Sequence, residues 1–255
     1  MVRIGVKSYD SKVVVSGNIV EIYEYEHSII TGFSNNKSRG VGRSSVATDD
    51  DKKRNRELVL NRARRDLRRL INSNIHMYGV KSKFVTLTFA DNITDIKKAN
   101  YEFKKFKQRL ETYFDFRLKY TCVIEFQKRG AIHYHVVFFN MPYIKKSKLA
   151  QIWGNGFIKV NNIDNVDNVG AYVCKYMSKN FIDDERLRGH KCYFSSRNLY
   201  KPIEVKDKKR VKNIIDSLPS SSLTYCNMFE NEYNNTLYKQ YNLNIEKSKQ
   251  EVRYL

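Results

Sequence analysis

The sequence predicts an α+β fold: a β-α-β-β-α-β sandwich around a central antiparallel sheet, with a basic helix before it and an extension after it. Three observations carry this. Strand-period and helix-period stretches follow one another in that order from "KFVTLTF" to "GFIKVNNI". The two middle strands are separated only by Lys128, Arg129 and Gly130, and a three-residue loop ending in glycine suits a tight antiparallel hairpin. Hydrophobic residues make up 41% and aromatics 13% of the 255 residues, enough apolar side chain for a real core. That element order is the ferredoxin-like, or RRM-like, arrangement, with helices expected against one face of the sheet.

Each element has its own signal. "KVVVSGNIVEIYEYE" alternates around Ser16, Gly17 and Asn18 and reads as a hairpin. "SNNKSRGVGRSS" reads as a mobile basic loop; its glycines are not followed by Gly-Lys-Ser/Thr, so it is no phosphate loop. From Asp49 onward, Leu60, Ala63, Leu67 and Leu70 recur at helical steps, and Asp49, Asp50 or Asp51 is expected to cap the start. Positions 51 to 70 hold nine basic and three acidic residues, and Arg62, Arg65 and Arg69 are placed on one side, facing phosphates. Val85, Leu87 and Phe89 alternate with Thr86 and Thr88 on a strand. Phe103, Phe106, Leu110 and Tyr113 stripe a helix. "YTCVIEFQ" and "AIHYHVVFF" are the hairpin strands, "KKSKLAQIW" a short helix, and "NVGAYVCKYMSKNF" a further helix started by Asp167 or Asn168. After residue 182, "DDERLRGHKCYFSSRNLYKPIEV" is read as a strand or arm, "KDKKRVKNIIDS" as a basic helix and "LPSSSLT" as a turn. The final stretch gives no clear pattern. The expected division is residues 1–50, 51–205 and 206–255, the first and last being extensions.

Charge narrows the function classes. Lysine and arginine total 47 against 27 acids, a formal net charge of +20, which calls for a polyanionic partner, nucleic acid first. The four cysteines have no Cys-x-x-Cys spacing, so neither a zinc framework nor a disulfide scaffold is expected. The first residues lack the apolar core of a secretion signal and no run of about 18 apolar residues occurs, so the expected location is the cytoplasm.

Two of the five histidines, His133 and His135, sit two apart on one strand and therefore share a face. Imidazoles about 7 Å apart along a strand can converge on one cation. If Lys128, Arg129 and Gly130 form the loop, Glu125 stands directly across from His133 and supplies a third ligand. Two imidazoles and a carboxylate with open positions suit a divalent ion that also holds a substrate oxygen, magnesium or manganese for phosphoryl chemistry. Tyr172 and Tyr176 lie four apart on a predicted helix, with Lys175 and Lys179 each three after a tyrosine. A phenol has a pKa of about 10 and needs help to attack phosphorus; a lysine or metal beside it lowers that cost.

Together, "FVTLTF", "EFQKRGAIHYHVVFF" and "YVCKYMSK" resemble the three ordered motifs of HUH-superfamily rolling-circle replication initiators. Most similar are the replication-associated proteins of small single-stranded-DNA phages and related plasmids. The resemblance spans about residues 54 to 205 and includes the arginine-rich helix and "YFSSRNLYKP". It implies a site-specific nickase and strand transferase acting on single-stranded DNA at an origin. His133, His135 and Glu125 would bind metal. Tyr172 or Tyr176 would form a 5′-phosphotyrosine, with Lys175 and Lys179 as the accompanying lysines. Tyr172 is favoured because Tyr-x-x-Lys is the commoner pattern. Lys128 and Arg129 at the hairpin tip join Arg62, Arg65 and Arg69 as DNA-contact candidates. No Gly-x-x-x-x-Gly-Lys-Ser/Thr run occurs, so no ATPase is expected, and a host helicase and polymerase are the expected partners. Two alternatives are a transposase or relaxase of the same chemistry, and a non-catalytic single-strand-binding module stacking bases on aromatics such as Tyr134 and Phe139.

Overall fold

The computed structural model describes residues 7–32, 48–127, 129–161, 163, 166–177 and 189–244. The chain divides into two compact units: Lys53–Lys201, and a second formed by Met1–Lys52 with Pro202–Leu255.

The Lys53–Lys201 unit is a five-stranded antiparallel sheet with the predicted α+β sandwich at its centre. Its strands are β3 (Lys83–Thr88), β4 (Tyr120–Phe126), β5 (Ile132–Phe138), β6 (Ile158–Asn161) and β7 (Tyr193–Ser195), in the order β6-β3-β5-β4-β7. The helices are α2 (Ile96–Phe114), between β3 and β4, and α3 (Lys146–Trp153), between β5 and β6. Asp95 caps α2 by accepting from the amides of Lys97 and Lys98, and Gly154 ends α3 in the left-handed conformation. Val85, Leu87, Ile124, Ile132, Tyr134, Val136 and Phe138 point to one face, where they pack with Phe103, Phe106, Leu110, Leu149 and Trp153 of these helices.

The opposite face is covered too, which departs from the expectation of helices on one side only. There α1 (Asp49–Asn72) and α4 (Val169–Cys174) bring Leu60, Leu67, Leu70, Ile71, Val169 and Val173 against Phe84, Val123, Val137 and Phe139. The physical reason is the width of the apolar stripe on α1, whose leucines need a second sheet surface to bury them. Helix α1 is capped by Thr48 rather than by an aspartate of its first turn. Thr48 Oγ1 accepts from the Asp51 amide (3.2 Å), and the Asp51 carboxylate accepts from the Thr48 amide (3.1 Å).

The other unit is a five-stranded antiparallel sheet of order β8-β1-β2-β10-β9, with α5 (Lys208–Ser217) among its elements. Strands β1 (Lys7–Ser16) and β2 (Ile19–Thr31) form the hairpin read around Gly17. Strands β8 (Ile203–Val205), β9 (Leu223–Phe229) and β10 (Thr236–Asn242) come from the far end of the chain, and β10 pairs with β2 along its length. Val13, Val20, Ile22, Val205 and Val211 form its core. The stretch read as one strand or arm supplies two short strands to different sheets, β7 beside β4 and β8 beside β1. The glycine- and serine-rich segment at 34–45 lies outside the described residues.

Candidate metal centre and tyrosine pair

The hairpin register sets the site. Gln127 donates its amide to the Ala131 carbonyl (2.8 Å), and Gly130, with φ +90°, donates to the Gln127 carbonyl (2.8 Å). This closes the turn and places Glu125 opposite His133, with Thr88 on the other side of His133. One step along, His135 stands between Thr86 and Val123. The ligand atoms of Glu125, His133 and His135 lie within 4.8 Å of one another, and among the described residues they form the cluster suited to a metal ion.

Each of the three has a distinct environment. His135 is buried; its Nε2 lies 2.5 Å from Glu125 Oε2 and its Nδ1 3.2 Å from Thr86 Oγ1. His133 Nε2 is buried and has no hydrogen-bond partner. A buried imidazole nitrogen without a partner is costly unless a ligand meets it. Burial, then the neighbouring His135, pushes the His133 pKa down to about 4; Glu125 opposes this and Arg129 reinforces it. The ring therefore keeps a free lone pair, as a metal ligand needs. The donor set and the orphaned nitrogen fit a divalent cation. On binding one, His135 Nε2 and Glu125 would turn their lone pairs to it, and Thr86 Oγ1 would accept the Nδ1 proton.

Helix α4 carries the tyrosines onto this face. Asn168 caps it, accepting from the Ala171 amide (2.9 Å). Asn72 of α1 ties the same turn down: its Nδ2 donates to Asn168 Oδ1 (3.0 Å), and its Oδ1 accepts from the Gly170 amide (2.8 Å). A Cβ on Gly170 would stand 2.3 Å from the Arg68 carbonyl oxygen, so glycine permits this close approach of α1 and α4. The Arg64 guanidinium donates to the Met177 carbonyl just beyond the helix. Sequence reading did not find Asn72, Gly170 or Arg64. Gly170 between two apolar positions was a signal of close helix contact.

The helix is shorter than predicted. After Cys174 it tightens into three-residue bonds, Tyr176 N–H to Val173 O and Met177 N–H to Cys174 O, both 3.1 Å. The two phenols still meet, with their oxygens 3.4 Å apart. The Tyr176 ring lies flat against His135, with centroids 3.9 Å apart at 26°. Tyr172 packs edge-on against Phe84. Burial, then the hydrogen bond with Tyr172, pushes the Tyr176 phenol up to about 12; the Glu125 charge adds to this. Lys175 is exposed, its Nζ 5.8 Å from the centre of the Tyr172 ring. Lys179 lies outside the described residues, as does Lys128.

The remaining candidates divide. Arg62 and Arg65 are exposed on α1, but Arg69 is 8% exposed, so it does not share their solvent-facing side. It lies in the last turn, where α1 is buried against the sheet. Arg129 is exposed but engaged, donating to Gln127 Oε1 and to the Phe89 carbonyl (both 2.9 Å). Tyr134 and Phe139, the stacking residues of a non-catalytic module, are wholly buried, because both belong to the two cores that flank the sheet. No described helix is long and apolar enough to cross a membrane.

No curated protein and no solved structure gives a match. Residues 82–181, which hold the Glu125–His133–His135 cluster and both tyrosines, match the family model of the replication-associated protein ORF2, and this supports a replication-initiator-like protein.

Proposed function

We propose that this protein nicks and rejoins single-stranded DNA at a replication origin. A tyrosine hydroxyl attacks the phosphodiester beside a divalent cation held by Glu125, His133 and His135. One observation carries the reading. The three ligand atoms lie within 4.8 Å of one another, and a tyrosine from a segment about forty residues away stacks on one of the ligands at 3.9 Å. A structural histidine pair needs neither a carboxylate across the hairpin nor a phenol pair beside it.

Magnesium or manganese, when bound, would supply positive charge to the phosphate oxygens. The chain does the rest. Glu125 and the two imidazoles hold the cation and leave positions open for the phosphate. The phenolic oxygen bonds to phosphorus and the P–O3′ bond breaks. The 3′ oxygen leaves as a hydroxyl, taking up the proton the phenol releases to water. The 5′ phosphate stays on tyrosine, and a later 3′-hydroxyl reverses the step and regenerates the phenol. Tyr172 is the favoured nucleophile, because the Tyr176 ring is already engaged against His135. Lys175 stands near Tyr172 to stabilise negative charge on the phosphate. Lys179 is assigned the same part beside Tyr176. The same residues would serve a transposase or relaxase; the replication-associated match favours the initiator. A host helicase and DNA polymerase would act after the nick, in the cytoplasm of a bacterial host.

The test uses the full chain, manganese, labelled strands of the cognate replicon and no ATP. A covalent adduct that survives detergent is expected, and Tyr172→Phe with Tyr176→Phe should abolish it. His133→Ala with His135→Ala should abolish the adduct and leave phosphate-driven binding nearly intact. The reading fails if no strand of the replicon gives an adduct.

A further inference from the structure

The side of the sheet away from the histidines has a surface that strand cutting does not use. Helices α2 and α3 bury one side of each in the core. Their segments, residues 96–114 and 143–153, hold nine basic and two acidic residues. Both acids are already engaged. Glu111 Oε2 accepts from Lys107 (2.6 Å) and Arg117 (3.1 Å). Glu102 lies 3.7 Å from Lys105 and accepts from Asn155 (3.4 Å). Arg109 is committed to the Ile152 and Trp153 carbonyls (2.8 and 3.0 Å). Among the described residues, no carboxylate pairs with Lys97, Lys98, Lys104, Lys145, Lys146 or Lys148.

Aromatic rings lie among these cations with a face open to solvent. Tyr101 is 55% exposed under the Lys105 ammonium, 4.2 Å from the ring centre; Tyr113 is 52% exposed with Lys148 at 5.7 Å. Tyr113 packs edge-on against Phe114 at 5.0 Å, which fixes its plane. Lys97, Tyr101, Lys104 and Lys105 follow helical spacing along one outward stripe of α2. From Lys97 to Tyr113 this stripe runs about 24 Å, room for several nucleotides. Interleaved cations and open rings are what a single strand needs: phosphates neutralised, bases stacked.

We propose that the α2–α3 surface binds a second stretch of single-stranded DNA, with phosphates on Lys97, Lys98 and Lys104 and bases stacked on Tyr101 and Tyr113. This strand lies on the opposite side of the sheet from His133 and His135, so it is not the one being cut. It is a flanking or displaced segment, held while the cut end is stored. The proposal rests on the strand-cutting reading only in choosing single-stranded DNA among polyanions.

The experiment measures binding of an oligothymidylate of about 40 nucleotides to the full chain by anisotropy, across a salt series. Tyr101→Ala with Tyr113→Ala should weaken binding about 10-fold or more without changing the salt slope. Lys97→Gln, Lys98→Gln and Lys104→Gln together should flatten the slope of log K against log salt by about 2. Both variants should keep the wild-type melting transition and form the adduct on a short origin oligonucleotide at the wild-type rate. Unchanged affinity in the folded tyrosine variant overturns the surface. Wild-type protein that binds in this ring-dependent way yet never forms an adduct supports the surface and overturns strand cutting instead.

Discussion

The two faces of the Lys53–Lys201 sheet are made by the same strands, yet one is wholly apolar and the other carries the chemistry. On β5, Ile132, Tyr134, Val136 and Phe138 enter the core under α2 and α3. Between them His133 and His135 face the other way, in rows with Thr88 and Glu125 and with Thr86. A strand alternates its side chains strictly, so a large core locks the register and thereby the ligand geometry. A slip of one residue would bury both imidazoles among phenylalanines. The apolar face thus positions the metal face without touching it.

The largest effect should come from the apolar face. Phe106, fully buried against Trp153, should cost about 3–5 kcal/mol of stability as Phe106→Ala, read by denaturant unfolding. Any loss of adduct formation should follow the unfolded fraction, which separates it from a site effect. Next comes the contact holding the tyrosine helix. Gly170→Ala forces a methyl against the Arg68 carbonyl and should cost about 1–3 kcal/mol. In the variant that remains folded, adduct formation should fall while manganese affinity stays within a factor of about 3 by calorimetric titration.

A single hydroxyl on the metal face then sharpens the contrast. Thr86→Val keeps the shape and removes the partner of His135 Nδ1, so manganese affinity should fall about 10–100-fold by titration calorimetry with the melting temperature nearly unchanged. The smallest effects belong to α1. Arg62→Gln with Arg65→Gln should change stability by no more than about 0.5 kcal/mol and flatten the salt dependence of DNA binding by about 1.4. Arg69→Gln, at a buried position, should instead lower the melting temperature and leave the salt slope as it was.

How much of this could be read in advance depended on the range of the interaction. Glu125 was placed opposite His133 from three loop residues and a pleat, both local properties, and the β4–β5 register has that pairing. The tyrosines were placed together by their four-residue spacing, and their hydroxyls are 3.4 Å apart. The aspartates before α1 misled because Thr48, one position earlier, offers a hydroxyl in better reach of the Asp51 amide. Arg69 misled because helical spacing orders side chains around an axis but does not say which side a distant sheet will cover. Strands β9 and β10 went unread because their pattern is weak alone; β10 gains its place by pairing with β2, more than 200 residues earlier.

The sequence by itself determined the order of strands and helices around the hairpin, the shared face of His133 and His135, the carboxylate across from them and the excess of positive charge. These follow from backbone periodicity and side-chain ionisation, which act over a few residues or simply add. Only the tertiary structure decided that α4 would lay Tyr176 on His135, that Asn72, Gly170 and Arg64 would hold it there, and that the cations of α2 and α3 would stand unpaired around open rings. Those outcomes depend on which surfaces bury one another, and burial is settled by the whole chain at once.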